Sequence, residues 1–235
     1  MVFLRSLLFL LLQLVITPVY ALIAILTFPF PPFTRYRIIS GWAFIMLWLM
    51  RVVCGIRMQV RGRENIPQVP SILLCKHQSA WETMALQKVF PPQVWVLKRE
   101  LLWLPFFGWG LAMTSPIAIR RSNAREAIKQ LLQQGKERLQ QGFCVVIFPE
   151  GTRIPYGQRS KYKIGGALLA AHTGVPVVPV AHNAGKLWGR NSFLKRPGVI
   201  TMSIGVPIDP AGLEAEEINR RVEEWIEAEI TRMPH

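Results

Sequence analysis

Residues 7–32 carry no charged side chain. A helix of that length would exceed the roughly 30 Å hydrocarbon core of a bilayer. Pro18 should kink it, and Pro29-Phe30-Pro31-Pro32 should end it. A second apolar segment spans residues 38–56 and is interrupted only by Arg51. Its Trp42 and Trp48 suit the lipid–water interface. Residues 1–56 therefore read as a membrane-associated helical hairpin. Its placement has three readings. A signal peptide would use Arg5, the apolar stretch and Val19-Tyr20-Ala21 as a cleavage site, but the apolar run continues past that point. A two-span hairpin would leave Arg35 and Arg37 on the far side, opposed only by Arg5, a poor fit to the positive-inside rule. A hairpin dipping into one leaflet keeps every arginine on the cytoplasmic side, and the charge pattern favours it. Packing of both helices on soluble protein fits the long charge-free run poorly.

The net charge of +14 is unevenly spread. Seven arginines precede the first acidic residue, Glu64. Residues 209–235 hold 3 basic and 8 acidic side chains, so residues 1–208 hold the other 25 basic and 6 acidic ones. A basic body beside apolar segments points to an anionic membrane surface, phosphorylated substrates, or both. No nucleic-acid module accompanies the charge, and nucleic acid is not an expected partner. Cys54, Cys75 and Cys144 all lie in apolar runs and read as small buried hydrophobes in a reducing compartment. No metal-ligand spacing is present.

From residue 57 onward short apolar runs alternate with helical segments. Strands are expected at 57–61, 71–75, 94–98, 115–119, 143–148, 176–181 and 199–206. The 144–148 run is apolar on both faces, as in a mostly parallel sheet covered by helices on both sides. Helices are expected at 83–90, 124–141, 165–172 and 213–233. Asn123 and Glu126 form a capping box for the second of these. The acidic side of the last helix reads as a solvated face. With no repeat and no linker, residues 57–235 form one α/β domain.

Four clusters fall at predicted strand ends. The first is His77 and Glu82 in Lys76-His77-Gln78-Ser79-Ala80-Trp81-Glu82. Five residues along one helix turn roughly 500°, so the two would diverge there. With His77 in the turn and Glu82 in the first helical turn, the carboxylate can reach the imidazole and fix its tautomer. Ser79 and Glu82 equally match a helix capping box, and these residues alone leave both readings open. The second cluster, Arg120-Arg121, suits a phosphate, or is a solvated pair. The third, Phe148-Pro149-Glu150-Gly151-Thr152-Arg153, groups a flexible backbone, a hydroxyl, a carboxylate and a guanidinium; a turn with a surface ion pair would also account for it. The fourth, 175–183, is mostly core strand, and Pro176 and Pro179 suggest an edge or irregular strand.

These four blocks, in this order and spacing, resemble the glycerolipid acyltransferase family, most of all the bacterial 1-acyl-glycerol-3-phosphate (lysophosphatidic acid) acyltransferases. Lys98-Arg99-Glu100-Leu101 and Lys163-Ile164-Gly165-Gly166-Ala167 also resemble segments of that subgroup. The resemblance covers roughly residues 57–208. It implies transfer of an acyl group from a thioester, on coenzyme A or acyl carrier protein, to a lysophosphatidic acid hydroxyl at the bacterial inner membrane, facing the cytoplasm. The product would be phosphatidic acid, with membrane lipids and possibly acyl carrier protein as partners and no cofactor beyond the acyl donor. His77 would be the general base and Glu82 its orienting acid. Arg120, Arg121, Glu150, Gly151, Thr152, Arg153, Lys98 and Lys163 would contact substrate. The chain departs from the family's usual pattern in having Glu82 where Asp is common, and Arg120 where Asp often precedes the arginine. Another lysolipid acceptor, such as a lyso-aminolipid, is an alternative. A membrane lipid-binding protein without turnover is another. A Gly-x-Ser-x-Gly elbow is absent, which argues against a serine hydrolase. A thioester is already activated, so direct attack without an acyl-enzyme is expected, and an alcohol nucleophile gains roughly 10²–10⁴ from a positioned base.

Overall fold

The computed structural model describes residues 1–120 and 122–233. The first helix, α1 (Val2–Leu26), continues through Pro18, which costs it one backbone bond but does not end it. A turn leads to α2 (Pro32–Val52), with proline in its first turn, where no N–H is needed. Then follow β1 (Ile56–Arg61), β2 (Ile72–Cys75), α3 (Trp81–Val89), β3 (Gln93–Lys98), α4 (Phe107–Ala112), β4 (Ile117–Ile119), α5 (Ala124–Gln140), β5 (Cys144–Ile147), α6 (Gly165–Thr173), β6 (Val177–His182), α7 (Ala184–Leu187), β7 (Gly198–Ile204) and α8 (Ala215–Arg232). All seven expected strands form, within one to two residues at most ends. The Asn123 side chain accepts from the Glu126 amide at 3.2 Å and caps α5 as its sequence requires.

The strands make one sheet in the order β1-β7-β6-β2-β5-β3-β4. Every pairing is parallel except β6 with β7. Alternation along β2 explains the two apolar layers. Leu73 and Cys75 face a cluster with Met46, Met50, Trp81 and Leu86 of α2 and α3. Ile72 and Leu74 face another with Leu131, Leu169 and Ile218 of α5, α6 and α8. All four β2 side chains are wholly buried, hence the unbroken apolar run.

Of the two readings of the proline-bearing strand, edge or irregular, the irregular one holds and the edge is corrected. The prolines do not place β6 at an edge, since it pairs with β2 on one side and β7 on the other. Its bonds to β2 use Pro176 and Val180 carbonyls, so Pro179 presents its missing donor to the β7 side. There the ladder is interrupted between Val180–Ile204 and the Val177–Ile208 bridge, and Pro179 only accepts, from the Gly205 amide. The strand tolerates proline because no donor is required at that register.

By length and composition α1 could cross a membrane. It is nevertheless held along the body at both ends. Ser6 and Phe9 are fully buried. The Ser6 hydroxyl accepts from the Lys195 amide at 2.9 Å, and the Lys195 ammonium lies 5.0 Å above the Phe9 ring. Near the other end, Ala21 and Ala24 meet Gly110 of α4, where an added Cβ would sit 3.7 Å from the Ala24 Cβ. The opposite face, including Leu8, Leu11, Leu14, Val15, Val19 and Leu22, is exposed and apolar.

Candidate active site

The candidate residues gather at the carboxyl ends of β2 and its neighbours, where open parallel sheets bind ligands. The Lys76 amide still belongs to the ladder, bonding to the Val180 carbonyl at 3.0 Å. His77 is the first residue beyond it. Its amide donates to Glu150 Oε2 at 2.7 Å, and its carbonyl accepts from the Ile154 amide at 2.8 Å. Its ring stacks on Phe148, with centroids 3.9 Å apart and planes 11° from parallel. Nδ1 lies 2.7 Å from Glu82 Oε1. A carboxylate only accepts, so Nδ1 carries the hydrogen and Nε2 keeps its lone pair in the neutral ring. Among the described residues Nε2 has no protein hydrogen bond.

Glu82 serves the orienting and capping roles with one oxygen. Oε1 also accepts from the Gln78 amide at 3.0 Å and the Ser79 amide at 2.9 Å. The helix starts one residue later than a capping box would put it, with Ala80 at the N-cap. The loop closes on the carboxylate first, and the Ser79 hydroxyl accepts from the Trp81 amide at 3.2 Å. Glu82 Oε2 is buried without a hydrogen bond among the described residues, 3.8 Å from His182 Nε2. Burial alone would push the Glu82 carboxyl up, but nearby His182, the His77 contact and the Ser79 amide together hold it below its ordinary value.

Sequence reasoning missed two supports of this pair. His182 at the end of β6 donates from Nε2 to the Lys76 carbonyl at 2.8 Å and accepts at Nδ1 from the Ala184 amide at 3.2 Å. Both contacts fit one neutral tautomer, and burial pushes its pKa down. Lys76, itself buried, places Nζ 2.7 Å from Glu150 Oε1 and 2.7 Å from Glu227 Oε1. The Tyr162 hydroxyl donates to the same Glu227 oxygen at 3.0 Å. Nothing in its spacing separated Glu227 from its neighbours Glu223 and Glu224 on the acidic side of α8.

His77 opens into a pocket of about 540 Å³. Its apolar walls come from α1, α2, α4 and β3, including Ala21, Trp42, Trp95 and Leu111. Lys98, Thr152, Arg153 and Arg190 also line it. Among the described residues the Arg153 Nε is buried without a hydrogen-bond partner. Such a donor beside two other cations suits an anionic oxygen. Arg190 carried no motif and was missed. Gly151 also lines the pocket, at φ +72°, and an added Cβ would meet the Lys163 Nζ at 2.7 Å. Glu150 is buried behind this wall, holding the His77 amide and Lys76. Lys163 packs over Gly151 outside the wall. Arg120 lies apart from it, exposed, its amide bonded to Gln130 Oε1 at 3.1 Å. Arg121 lies outside the described residues.

An imidazole backed by a buried carboxylate faces an apolar pocket with cations on its wall, on a mostly parallel α/β sheet, an arrangement suited to an amphipathic anionic ligand. Residues 57–183 match the acyltransferase family model, and the chain belongs to that family. It is 48% identical over 227 residues to a 1-acyl-sn-glycerol-3-phosphate acyltransferase of Pseudomonas aeruginosa, covering 94% of this chain and 88% of that one. A Cocos nucifera enzyme of the same name is 28% identical over 213 residues, covering 90% and 68%. The fold matches the crystal structure of a Thermotoga maritima 1-acyl-sn-glycerophosphate acyltransferase with a TM-score of 0.81 at 23% identity, over 97% of this chain and 94% of that one.

Proposed function

We propose that the enzyme transfers an acyl group from a thioester of coenzyme A or acyl carrier protein to the free hydroxyl of 1-acyl-sn-glycerol-3-phosphate, giving phosphatidic acid. The observation that carries this reading is the 2.7 Å His77–Glu82 contact, which leaves Nε2 available at the pocket. His77 Nε2 takes the hydroxyl proton as the oxygen attacks the thioester carbon. Glu82 stabilises the imidazolium so formed. The C–S bond then breaks, and the proton passes to the departing thiolate. Glu150 acts behind the site by holding the His77 amide. Arg153, Lys98 and Arg190 supply positive charge for phosphate and for the anionic donor, and the apolar walls accommodate acyl chain.

The reading extends to location. With α1 held along the body at both ends, its exposed apolar face lies in one leaflet rather than across two. The basic residues of the body then face the cytoplasmic side of the bacterial inner membrane.

Purified full-length chain in lipid, offered both donor types and a panel of lysolipids, tests the function. Phosphatidic acid formation is expected, and His77→Ala should abolish turnover while keeping the fold and lipid binding. Acylation of a lyso-aminolipid but not of lysophosphatidic acid would move the acceptor assignment. Near-normal turnover by His77→Ala would remove the mechanism.

A further inference from the structure

The segment between β3 and β4 carries none of the four motif blocks. It holds a 3-10 helix (Arg99–Trp103), a turn and α4. Trp103 is 73% exposed, and Leu104, Phe106, Phe107 and Trp109 are exposed as well. Glycines hold their backbone close. A Cβ on Gly108 would sit 2.5 Å from the Leu102 carbonyl oxygen, and Gly110 is the residue that meets Ala21 and Ala24 of α1. The small residues thus face protein while the large apolar ones face out. Phe106 has φ +61° and ψ −63°, and the Phe107 amide bonds to the Pro105 carbonyl at 2.7 Å. That is a strained three-residue turn, rare for a bulky side chain. It sets Phe106 and Phe107 at the pocket, where both line the wall and remain exposed, so they mark an apolar rim.

We propose that residues 99–112 form a second membrane-inserted element that docks on a lipid leaflet bearing anionic headgroups and opens the pocket sideways to its acyl-chain layer. This rests on the reading of α1 as leaflet-facing. The segment packs on α1 at Gly110, and the exposed side chains of both are large and apolar; exposed apolar side chains grouped in this way mark an interaction surface. Exposed Lys98 and Arg99 stand at its start, with Glu100 the one acidic residue in the segment, so the charge at its edge suits anionic headgroups. Indole rings are the side chains most suited to the interfacial depth.

The test uses the full chain and vesicles of phosphatidylethanolamine with phosphatidylglycerol. The double variant Trp103→Ser/Trp109→Ser should bind at least ~10-fold more weakly, because affinity follows buried apolar area. The KM for vesicle-borne acceptor should rise, while turnover of a dispersed short-chain acceptor should hold, since neither indole lines the pocket. Trp103→Phe should keep binding. The emission lost between it and the parent should be quenched by lipids brominated on their chains. Unquenched Trp103 emission in vesicle-bound protein would overturn the proposal, as would unchanged binding by the double variant. So would a lipid-free dimer that the double variant abolishes. Trp103 quenching in a chain that acylates nothing would instead overturn the enzyme reading and leave this surface standing.

Discussion

The Lys76 ammonium lies 2.7 Å from Glu227 Oε1, which ties the residue before His77 to the last helix of the chain. Glu150 completes the link, since one of its oxygens contacts Lys76 and the other takes the His77 amide. Burial pushes the Glu150 carboxyl up, and Lys76 opposes that rise. The position of the imidazole is thus set from three directions: by Glu82 at the ring, by Phe148 beneath it, and by a buried charge cluster at its backbone.

Lys76→Met should leave buried Glu150 without its cation, while the only cation left to Glu227 among the described residues is the exposed Arg159 at 3.3 Å. Breaking a buried pair in this way costs about 3–5 kcal/mol. Glu227→Gln keeps an acceptor for Lys76 and Tyr162 and should cost less, about 1–3 kcal/mol. Urea unfolding measures both. Activity should follow, with kcat falling more than KM rises, because the cluster sets His77 rather than touching substrate. A Lys76→Met variant as stable and active as the parent would mean that α8 and the loop are independent.

Glu82 substitutions separate its two roles. Glu82→Gln can still accept the Nδ1 hydrogen, so the tautomer holds, but the charge that stabilises the imidazolium is gone. Turnover should drop by roughly 10²–10⁴, approaching the loss in His77→Ala. Glu82→Asp keeps the charge on a shorter arm and should retain more activity than Gln. Steady-state kinetics decide this, and near-parental turnover by Glu82→Gln would leave Glu82 as a cap alone.

What was legible in the sequence was local. The apolar run at β5 and the capping pattern at Asn123 depend on nearby residues, and each took its expected form. His77 and Glu82 are close in the chain, so their contact could be anticipated. Glu227 lies 151 residues from Lys76, and Arg190 lies 37 from Arg153. No spacing rule reaches that far. Glu150 could be seen as special but not as buried, because its burial depends on Lys76, which follows β2 and reaches it from a different loop. Pro179 left edge and irregular strand open because a proline's cost depends on where its missing donor points, which only the β7 register reveals.

Gly151 is constrained twice, by φ +72° and by the Lys163 side chain. Gly151→Ala should lose about 1–2 kcal/mol from the left-handed backbone alone. Displacement of Lys163 should add to this. Since Thr152 and Arg153 follow directly, the KM for acceptor should rise as well. Thermal melting and acceptor titration read the two effects. A fully stable variant with unchanged KM would show that the turn can relax without moving the pocket wall.

Arg153→Ala should impair acceptor use more than donor use. Its Nε is buried and, among the described residues, without a partner, so it is already desolvated, and Arg153 lines the pocket. A charge-assisted bond lost there costs about 1.5–3 kcal/mol, or roughly 10–150-fold in kcat/KM for the acceptor. Arg190→Ala should weaken binding less, because its side chain is exposed and its charge is screened. Equal losses for donor and acceptor in Arg153→Ala would place the acceptor phosphate on another cation.

His182 gives the fold a pH dependence whose sign can be worked out. Burial lowers its pKa below the ordinary 6.5, so the unfolded chain binds this proton first. Wherever the unfolded state holds more protons, stability rises with pH. The stabilisation is therefore present above 6.5 and is lost as pH falls from 6.5 toward the folded value. Glu82 acts in the same direction lower down. Its carboxyl lies below the ordinary 4.5, so its contribution is present above 4.5 and is lost as pH falls through the lowered folded value. The parent should thus lose stability in two stages on acidification. His182→Asn removes the titrating ring but can keep a donor toward the Lys76 carbonyl. It should flatten the upper stage and leave the lower one. Urea midpoints taken across both windows measure this directly. An upper stage that persists unchanged in His182→Asn would assign it to another group and leave His182 as packing against Trp81.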